Sequence, residues 1–283
     1  MHGIAIALLP VSLLLAPEDV PPRPAVSAGA DVSNAYFFRG ILQEDQGVVV
    51  QPWAKAEITL FEREEGLRTL FLDVGQWNSL HSGPTGTGGE HPGPDAWYES
   101  DFVAGLSSEL GDGFVARAGY TLYTSPNDSF ADVHEIGLSL GLGDGAWWGE
   151  GDFLGVRPSI LVALELDGQA DAGRDEGVYA ELGIAPGFAI AGVDAAPVTL
   201  SFPVSLGLSL DDYYEDAGGD DTTLGDVGVG AALGIPLRFV PESAGAWTLS
   251  VSLRALILFD SLEEKNGGDD LEWIATAGLA VAF

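Results

Sequence analysis

Apolar and polar residues alternate with a period of two along most of the chain. The last segment shows this most clearly: Leu271, Trp273, Leu279 and Phe283 share one face, with small, polar or charged residues between them. A period of two is that of an extended strand, whose successive side chains point to opposite faces. The chain is therefore predicted to end in a β-strand whose apolar face continues to the final residue.

Eleven further segments carry the same alternation, and clusters of Gly, Pro, Asn and Asp separate them. None has a helical period. The twelve predicted strands cover residues 26–41, 47–62, 66–79, 96–110, 113–124, 129–142, 155–167, 177–188, 197–211, 222–239, 246–260 and 270–283. Each is long enough to cross a bilayer, because about 9 to 11 tilted residues suffice. An even number of strands returns both chain ends to one side.

Two folds fit such a pattern, a membrane barrel with its apolar face toward lipid and a soluble sandwich or barrel with that face inward. The residues on the other face distinguish them. In a soluble protein that face meets water and carries many Lys, Glu and Thr, whereas here Gly, Ala and Ser dominate. Small residues suit a crowded barrel interior. The sequence therefore predicts an all-β protein, a single antiparallel transmembrane β-barrel of about twelve strands.

Aromatic residues near the segment ends fit a membrane barrel. Trp247, Trp273 and Phe283 are predicted membrane anchors, because aromatic side chains collect at the interface between lipid and water. The C-terminal strand that ends at Phe283 is also predicted to be the segment through which the barrel-assembly machinery recognises the chain. Outer-membrane lipid is the second predicted partner.

The N-terminal residues 1–25 are predicted to be a signal peptide and a Pro-rich lead-in. Residues 4–16 form an apolar run that Pro10 interrupts, too short for a transmembrane helix but suited to the core of an export signal. Cleavage after Ala16 would precede Pro17, and Val26-Ser27-Ala28 offers a second small-residue pattern, so the cleavage site stays open. A short buried element of the mature domain is the alternative. Residues 26–283 are the predicted barrel, located in a bacterial outer membrane.

The chain is strongly acidic, with 43 acidic residues, 11 basic residues and a formal net charge of -32. Nucleic acid is excluded as a partner, because phosphates require a basic surface. The absence of Cys removes disulfides and thiolate metal sites. The predicted outward links 78–95, 167–176, 211–221 and 261–269 are longer on average and more acidic than the predicted periplasmic links 62–66, 111–113, 143–153, 189–197 and 240–245, although 143–153 is long for a periplasmic turn. Outer-membrane barrels show this asymmetry.

Crowded carboxylates in the links near residues 211–221 and 260–270 could bind Ca²⁺ or Mg²⁺ weakly. Neither link has the spacing of an EF-hand, and a solvated anionic rim is the simpler interpretation. No cofactor is predicted.

The polar face of the predicted strands supplies the candidate lumen residues. The basic candidates are Arg39, Lys55, Arg117, Arg157, Arg238 and Arg254. The acidic candidates are Asp31, Glu57, Asp73, Glu99, Asp101, Glu109, Glu135, Glu165, Glu181, Asp226 and Glu272. Cross-strand ion pairs account for most of them. Because acidic candidates outnumber basic ones, an open pathway is predicted to prefer cations.

A more specific pattern occupies the first half of the chain. Residues 33–41 read Ser-Asn-Ala-Tyr-Phe-Phe-Arg-Gly-Ile and precede Gln43, Asp45 and Gln51. Residues 75–79 (Gly-Gln-Trp-Asn-Ser), 99–105 (Glu-Ser-Asp-Phe-Val-Ala-Gly) and 119–135, with Gly119-Tyr120, Tyr123, Pro126 and Glu135, follow. Over about residues 29–142 the sequence resembles the TorF-type porin family of bacterial outer membranes, with Asn34 where that family usually has Asp. The resemblance implies a porin-like barrel and no defined reaction.

Within the motif, Tyr36, Phe38, Arg39 and Gly40 are the candidate functional residues. Arg39 is expected on the polar side of the first strand near its outer end, and Gly40 permits an unusual backbone angle where the strand turns. We expect Arg39 to pair with a lumen carboxylate, for which the candidates are Asp73, Glu99 and Asp101, and to define a constriction. An ion pair that fixes strand register is the alternative role.

Enzymatic and metal functions find little support. A barrel phospholipase needs a lipid-facing Ser and His on adjacent strands, and His134 lacks such a Ser at its level. His81 and His91, in a Gly/Pro-rich stretch, are weak metal candidates. The sequence predicts a passive channel for small hydrophilic solutes or ions. A closed structural or adhesive barrel with acidic external loops is the alternative, and a soluble lectin-like β protein is the third.

Overall fold

A computed structural model describes residues 24–63, 67–83, 96–149, 151–170, 173, 175–193, 196–215 and 221–283. The predicted signal segment therefore lies almost wholly outside the described residues. The described chain contains the strands β1 (Ala25–Ser33), β2 (Tyr36–Phe38), β3 (Ile41–Glu44), β4 (Val49–Glu62), β5 (Leu67–His81), β6 (Trp97–Leu110), β7 (Phe114–Thr124), β8 (Val133–Leu142), β9 (Ser159–Asp167), β10 (Val178–Ile184), β11 (Gly187–Val193), β12 (Ala196–Ser201), β13 (Val204–Asp211), β14 (Leu224–Pro236), β15 (Ala246–Leu258) and β16 (Leu271–Ala282), with one short helix, α1 (Asp260–Lys265).

The strands form a closed antiparallel barrel whose wall has twelve strands. Each wall strand pairs with its neighbours along the chain, and β1 closes the ring against β16, from Ser27 opposite Ala282 to Ser33 opposite Thr276. The pairs β10/β11 and β12/β13 are single wall strands, each interrupted at a proline, Pro186 or Pro203. A proline cannot donate to the ladder, so the pairing breaks there without a change of register. The predicted fold class is confirmed.

The apolar face of the wall points outward. On β16, Leu271, Trp273 and Leu279 are 46%, 54% and 42% exposed, while Glu272, Ile274 and Thr276 on the other face are partly buried. The other wall strands continue this belt with exposed Val26, Val32, Ile58, Leu60, Val74, Phe102, Leu106, Ile136, Leu138, Leu140, Ile160, Leu182, Ile184, Val229, Val251 and Leu253. Monomeric soluble proteins do not expose a continuous apolar surface of this extent. The belt therefore has the character of a lipid-facing surface.

Among the described residues, no helix is long and apolar enough to span a membrane.

The two ends of the barrel differ. The start of β1 and the last residue meet at one end, here called the terminal end, where the N–H of Phe283 donates to the Val26 carbonyl oxygen at 2.9 Å. The links at this end cover residues 63–66, 111–113, 143–158, 194–195 and 237–245. The opposite end, the loop end, carries the links 34–48, 82–96, 125–132, 168–177, 212–223 and 259–270. The loop-end links are longer on average, as predicted, although the terminal-end link 143–158 is also long.

The first predicted strand, residues 26–41, is wrong beyond Ser33. β1 ends there, and β2 and β3 form a separate hairpin that folds into the barrel instead of extending the wall. Tyr36, Phe37 and Phe38 are three consecutive aromatic residues, all 2–6% exposed. They do not alternate, because protein surrounds the hairpin on both faces.

Five other predictions of element limits need correction. β9 begins at Ser159 and β14 ends at Pro236, so Arg157 and Arg238 lie in links at the terminal end and not on wall strands. The predicted strand 177–188 is too short, since β10 and β11 together continue to Val193. His81, predicted in a loop, is the last residue of β5. The link 259–270 contains α1, although its sequence showed no helical period.

Candidate functional site

The loop-end half of the lumen is filled by the hairpin of residues 36–44, here called the plug hairpin. Its apolar residues belong to one buried cluster with side chains from the wall and from the loop-end links. The surrounding members include Tyr98, Tyr123, Tyr179, Tyr213, Tyr214, Leu256, Leu258 and Leu262. The plug hairpin is therefore packed like a small protein core inside the barrel.

The tip of the plug hairpin is a two-residue turn at Arg39 and Gly40, both with positive φ, 45° and 84°. Turns of this kind suit hairpins because their twist matches that of the strands. Gly40 is required for space as well as for conformation, since a side chain there would collide with Leu262 of α1. The expectation that Gly40 adopts an unusual backbone angle is confirmed.

Arg39 is held by a buried ion pair and by aromatic rings. Its Nη2 lies 2.7 Å from Glu135 Oε2, and the two side chains are only 3% and 5% exposed. Its Nη1 donates to the Tyr213 hydroxyl at 2.9 Å, and the guanidinium carbon lies 4.3 Å from the ring centre of Tyr179. Burial makes such charge pairing and stacking obligatory, because an uncompensated buried charge is costly.

The acidic partner of Arg39 differs from the three predicted candidates. Glu135 on β8 takes that place, while Asp73 pairs with Arg117 and Glu99 accepts from Tyr36. The reason is that Arg39 leaves the wall at the hairpin and reaches across the lumen. A wall position would have limited it to neighbouring strands.

The backbone of the hairpin tip is bound by two loop-end links. The Tyr214 hydroxyl donates to the Arg39 carbonyl oxygen at 2.8 Å. Asn266 donates through Nδ2 to the Gly40 carbonyl oxygen at 2.7 Å and accepts the N–H of Leu42 at 2.7 Å. Buried backbone groups need such partners. The links 212–223 and 259–270 thus fix the plug hairpin in the lumen.

Three acidic residues line the side of the plug hairpin that faces β6 and β8. Glu99, Asp101 and Glu135 are 3–5% exposed. The Tyr36 hydroxyl donates to Glu99 Oε2 at 2.8 Å, and the Asp101 carboxyl group contacts that of Glu99. With Arg39 as the basic residue of the same cluster, this level of the lumen is predominantly acidic.

The terminal-end half of the lumen is more open. Arg117 and Asp73 form a bidentate pair, with Nη2 to Oδ2 at 2.7 Å and Nε to Oδ1 at 3.2 Å. Lys55 Nζ lies 3.0 Å from Glu57 Oε1. The side chains of Lys55 and Arg117 are 28% and 22% exposed, so water reaches this part of the wall. The basic side chains here are partly solvated, and each is paired with an acidic one.

The remaining lumen candidates take three different positions. Glu165 is buried and accepts the N–H groups of Ala170 and Gly177, at 2.6 and 2.7 Å, so it shapes the link 168–177. Arg254 lies 3.6 Å from Asp226. Arg157 donates through Nε to the Ala185 carbonyl oxygen at 2.8 Å, at the terminal end. Arg238 is exposed in the link 237–245.

The predicted anchors lie on or near the outer surface. Trp273 and Phe283 are 54% and 70% exposed. Trp247, at the terminal end of β15, donates its ring N–H to the Ala244 carbonyl oxygen at 2.8 Å.

The predicted metal candidates are placed as follows. His81 is buried, lies 2.8 Å through Nε2 from Ser79 Oγ, and stacks on Tyr98 with ring centres 4.5 Å apart. His91 lies outside the described residues. Within the part of the chain that the structure describes, no group of three or more potential metal-ligating side chains occurs.

Sequence reasoning missed the residues that hold the plug hairpin from the far wall. Tyr213 and Tyr214 lie in an acidic link whose sequence predicted only an anionic rim or a weak site for divalent cations. Leu256 and Leu258 are 1–2% exposed on the inward face of β15, where small or polar residues were expected. Two apolar residues on an otherwise polar face were the signal that something apolar fills the lumen there.

Comparison with known proteins agrees at the level of fold. No family model matches the chain, and no curated protein sequence matches it. An outer membrane channel from Pseudomonas putida F1 is similar in structure, with a TM-score of 0.54 and 12% identity over 95% of this chain and 100% of that one. The NanC porin has a TM-score of 0.44 and 10% identity over 92% of this chain and 99% of that one. At these identities the first likeness shows the fold alone, and the second is too distant to carry an argument.

Proposed function

We propose that the protein is a porin-like channel of a bacterial outer membrane, through which small hydrophilic solutes or ions diffuse passively. The proposal rests on one observation. This closed barrel has an apolar outer belt and a charged interior, and basic side chains in the terminal-end half of that interior are partly exposed to solvent. A wall of this construction spans a bilayer and lines a polar path. In the proposal, residues 1–25 direct export and the protein performs no chemical step.

A preference for cations follows from the charges of the lumen. At the level of the plug hairpin, the lumen holds three buried acidic residues, Glu99, Asp101 and Glu135, and one arginine, Arg39. A pathway lined by an excess of acidic groups lowers the energy of a cation and raises that of an anion. The acidic loop-end links add to the same field.

The resemblance to TorF-type porins supports the same function. Tyr36, Phe38, Arg39 and Gly40, which carry that resemblance, are the residues of the plug hairpin that pack across the lumen. We propose that they form the constriction of the channel. Solutes would pass between the hairpin and the wall, so the hairpin limits their size.

Swelling of liposomes that contain the refolded protein tests this function. We expect small neutral sugars to cause swelling at a rate that falls steeply with sugar size. Replacing residues 36–44 by nine Gly and Ser residues should raise the rate for larger sugars. The matched control places the same linker at residues 237–245, a link of equal length at the terminal end. Absence of swelling in the native protein and in both variants would refute the channel.

A closed structural or adhesive barrel is the second candidate. The filled loop-end half of the lumen favours it, since the plug residues are only 2–6% exposed. In that case the native barrel would fold and remain heat-modifiable on gels, yet no sugar would enter. Swelling only after replacement of the plug hairpin would support this candidate.

A further inference from the structure

A small cavity lies between the tip of the plug hairpin and the wall strands β10, β14 and β15. It has a volume of about 240 Å³ including its mouth, and its enclosed part has room for about one water molecule. The cavity is lined by Phe37, Arg39, Gly40, Tyr179, Glu181, Asp226, Arg254 and Leu256. Charges of both signs therefore meet around a space at the constriction.

Asp226 supplies an unused acceptor to this cavity. The residue is 3% exposed, and its Oδ1 has no hydrogen-bond partner among the described residues. The nearby Tyr214 hydroxyl donates instead to the Arg39 carbonyl oxygen. A buried carboxylate oxygen without a donor is costly, so a donor that enters the cavity would bind favourably.

Glu181 adds a second carboxylate on the same side. It lies on the inward face of β10 and accepts the Tyr179 hydroxyl at 3.2 Å. The Tyr179 ring in turn packs on the Arg39 guanidinium. Two acidic side chains from different strands thus face one water-sized space, which an ammonium group also fits.

Arg254 places a positive charge at the solvent-exposed side of the cavity. Its side chain is 37% exposed, and its Nη2 donates to Ser205 Oγ at 2.8 Å while lying 3.6 Å from Asp226 Oδ2. The Arg117 to Asp73 distance of 2.7 Å is much shorter. Gly228 lies beneath the guanidinium, where any side chain would collide with it. Arg254 is therefore loosely paired and partly exposed to the lumen, where it can bind a carboxylate.

We propose that Asp226, Glu181 and Arg254 form a binding site for a small zwitterion of the amino-acid type. The ammonium group enters the cavity and donates to the Asp226 and Glu181 carboxylates, while the carboxylate of the solute pairs with Arg254 at the mouth. A bare metal cation satisfies only half of this site, since Arg254 and Arg39 would repel it. The inference rests on the proposed channel function and names the class of solute.

Thermal melting of the refolded protein in detergent, with small probes at pH 7 and matched ionic strength, tests the site. Glycine carries both groups, methylamine only the ammonium, and glycolate only the carboxylate. We expect glycine to raise the melting temperature at concentrations at least tenfold below those at which either single-charge probe does so. Ligands that bind only the folded state act in this way.

Variants separate this site from other lumen charges. D226N, E181Q and R254Q should each raise the glycine concentration for half the effect by about tenfold or more. The control E57Q removes a lumen carboxylate that pairs with Lys55 outside the cavity, and its glycine response should equal that of the native protein. A folded barrel migrates differently on gels before and after heating, so a variant that lacks this shift has not folded. The glycine responses of the remaining variants then test the site.

The site is refuted if glycine does not shift the melting of the native protein, if methylamine acts as strongly as glycine, or if E57Q weakens the response as much as D226N. Melting does not depend on conduction. A glycine response in a protein that causes no liposome swelling would contradict the channel and support the site. Swelling without any glycine response would contradict the site alone.

Discussion

Two almost fully buried charges, Arg39 and Glu135, meet in the loop-end half of the lumen, with Nη2 and Oε2 2.7 Å apart. The pair joins the tip of the plug hairpin to β8, so it connects two parts of the chain that have no backbone pairing. Removal of one partner leaves the other charge buried without compensation. Single residues of this kind determine whether the lumen stays filled.

R39A is expected to destabilise the barrel by about 3 to 5 kcal/mol, measured by denaturant unfolding in detergent, because Glu135 stays buried without its partner. K55A is the control, since its pair with Glu57 is partly exposed and worth about 1 kcal/mol or less. R39A combined with E135Q should recover part of the loss. Equal effects of R39A and K55A would contradict this interpretation of the pair. If R39A loses stability without any change in ion selectivity, Arg39 is a structural residue and not part of the constriction.

Asp144 gives the terminal-end link 143–158 a dependence on pH. Its carboxylate accepts the N–H groups of Val156 and Arg157 at 3.0 and 2.8 Å and the ring N–H of Trp148 at 2.7 Å. Burial alone would raise the pKa of Asp144, but these hydrogen bonds outweigh it and hold the pKa below its usual value. The stabilisation is present above the pKa of the unfolded chain and is lost as the pH falls through the lowered pKa.

D144N is therefore expected to melt at a lower temperature than the native protein near neutral pH, by an amount that corresponds to about 1 to 3 kcal/mol. The difference should shrink as the pH falls below the pKa of the unfolded carboxyl group toward the lower native pKa, because the unfolded chain takes up a proton before the native Asp144 does. Melting curves from pH 3 to pH 7 measure it. A difference that does not change with pH would show that the charge of Asp144 has no part in holding the link.

At the scale of elements, the wall and the plug hairpin differ in how far their sequences predict them. Wall strands have lipid on one side and lumen on the other, so residues such as Leu271 and Glu272 alternate and reveal both the strand and its outward face. Tyr36, Phe37 and Phe38 are surrounded by protein on every side, so no alternation marks them. The contact between Arg39 and Glu135 depends on how the hairpin folds back. A local pattern does not contain that information.

A substitution at Gly40 tests how the tip of the plug hairpin is held. Gly40 has a φ of +84°, and Leu262 lies against it. The methyl group of G40A would therefore strain the backbone and collide with Leu262. We expect a loss of at least about 1 to 2 kcal/mol from the backbone conformation alone. We also expect a higher conductance, because the hairpin tip is displaced from α1. G141A is the matched control, since a side chain at Gly141 of β8 meets nothing within 4 Å. If G40A and G141A behave alike, the tip is not held as described.

At the scale of the whole molecule, the apolar surface faces outward and most charged side chains of the wall strands face the lumen. The outer belt is apolar, the lumen is acidic, and the loop-end links extend the acidity beyond the barrel. The outward belt and the number of wall strands follow from the alternation in the sequence. Arg157 and Arg238 were predicted on wall strands but lie in links, because β9 begins after Arg157 and β14 ends before Arg238. Filling of the loop-end half by residues 36–44 was not predicted, because it depends on contacts between distant segments.

The most direct test of the proposed channel is the current through single refolded barrels in a planar lipid bilayer under a KCl gradient. The account predicts discrete conductance steps and a reversal potential displaced toward the equilibrium potential of K⁺. The nine-residue replacement of the plug hairpin should enlarge the steps while the sign of the reversal potential stays the same. A bilayer that stays silent with both proteins, or a reversal potential on the Cl⁻ side, would contradict a cation-preferring channel.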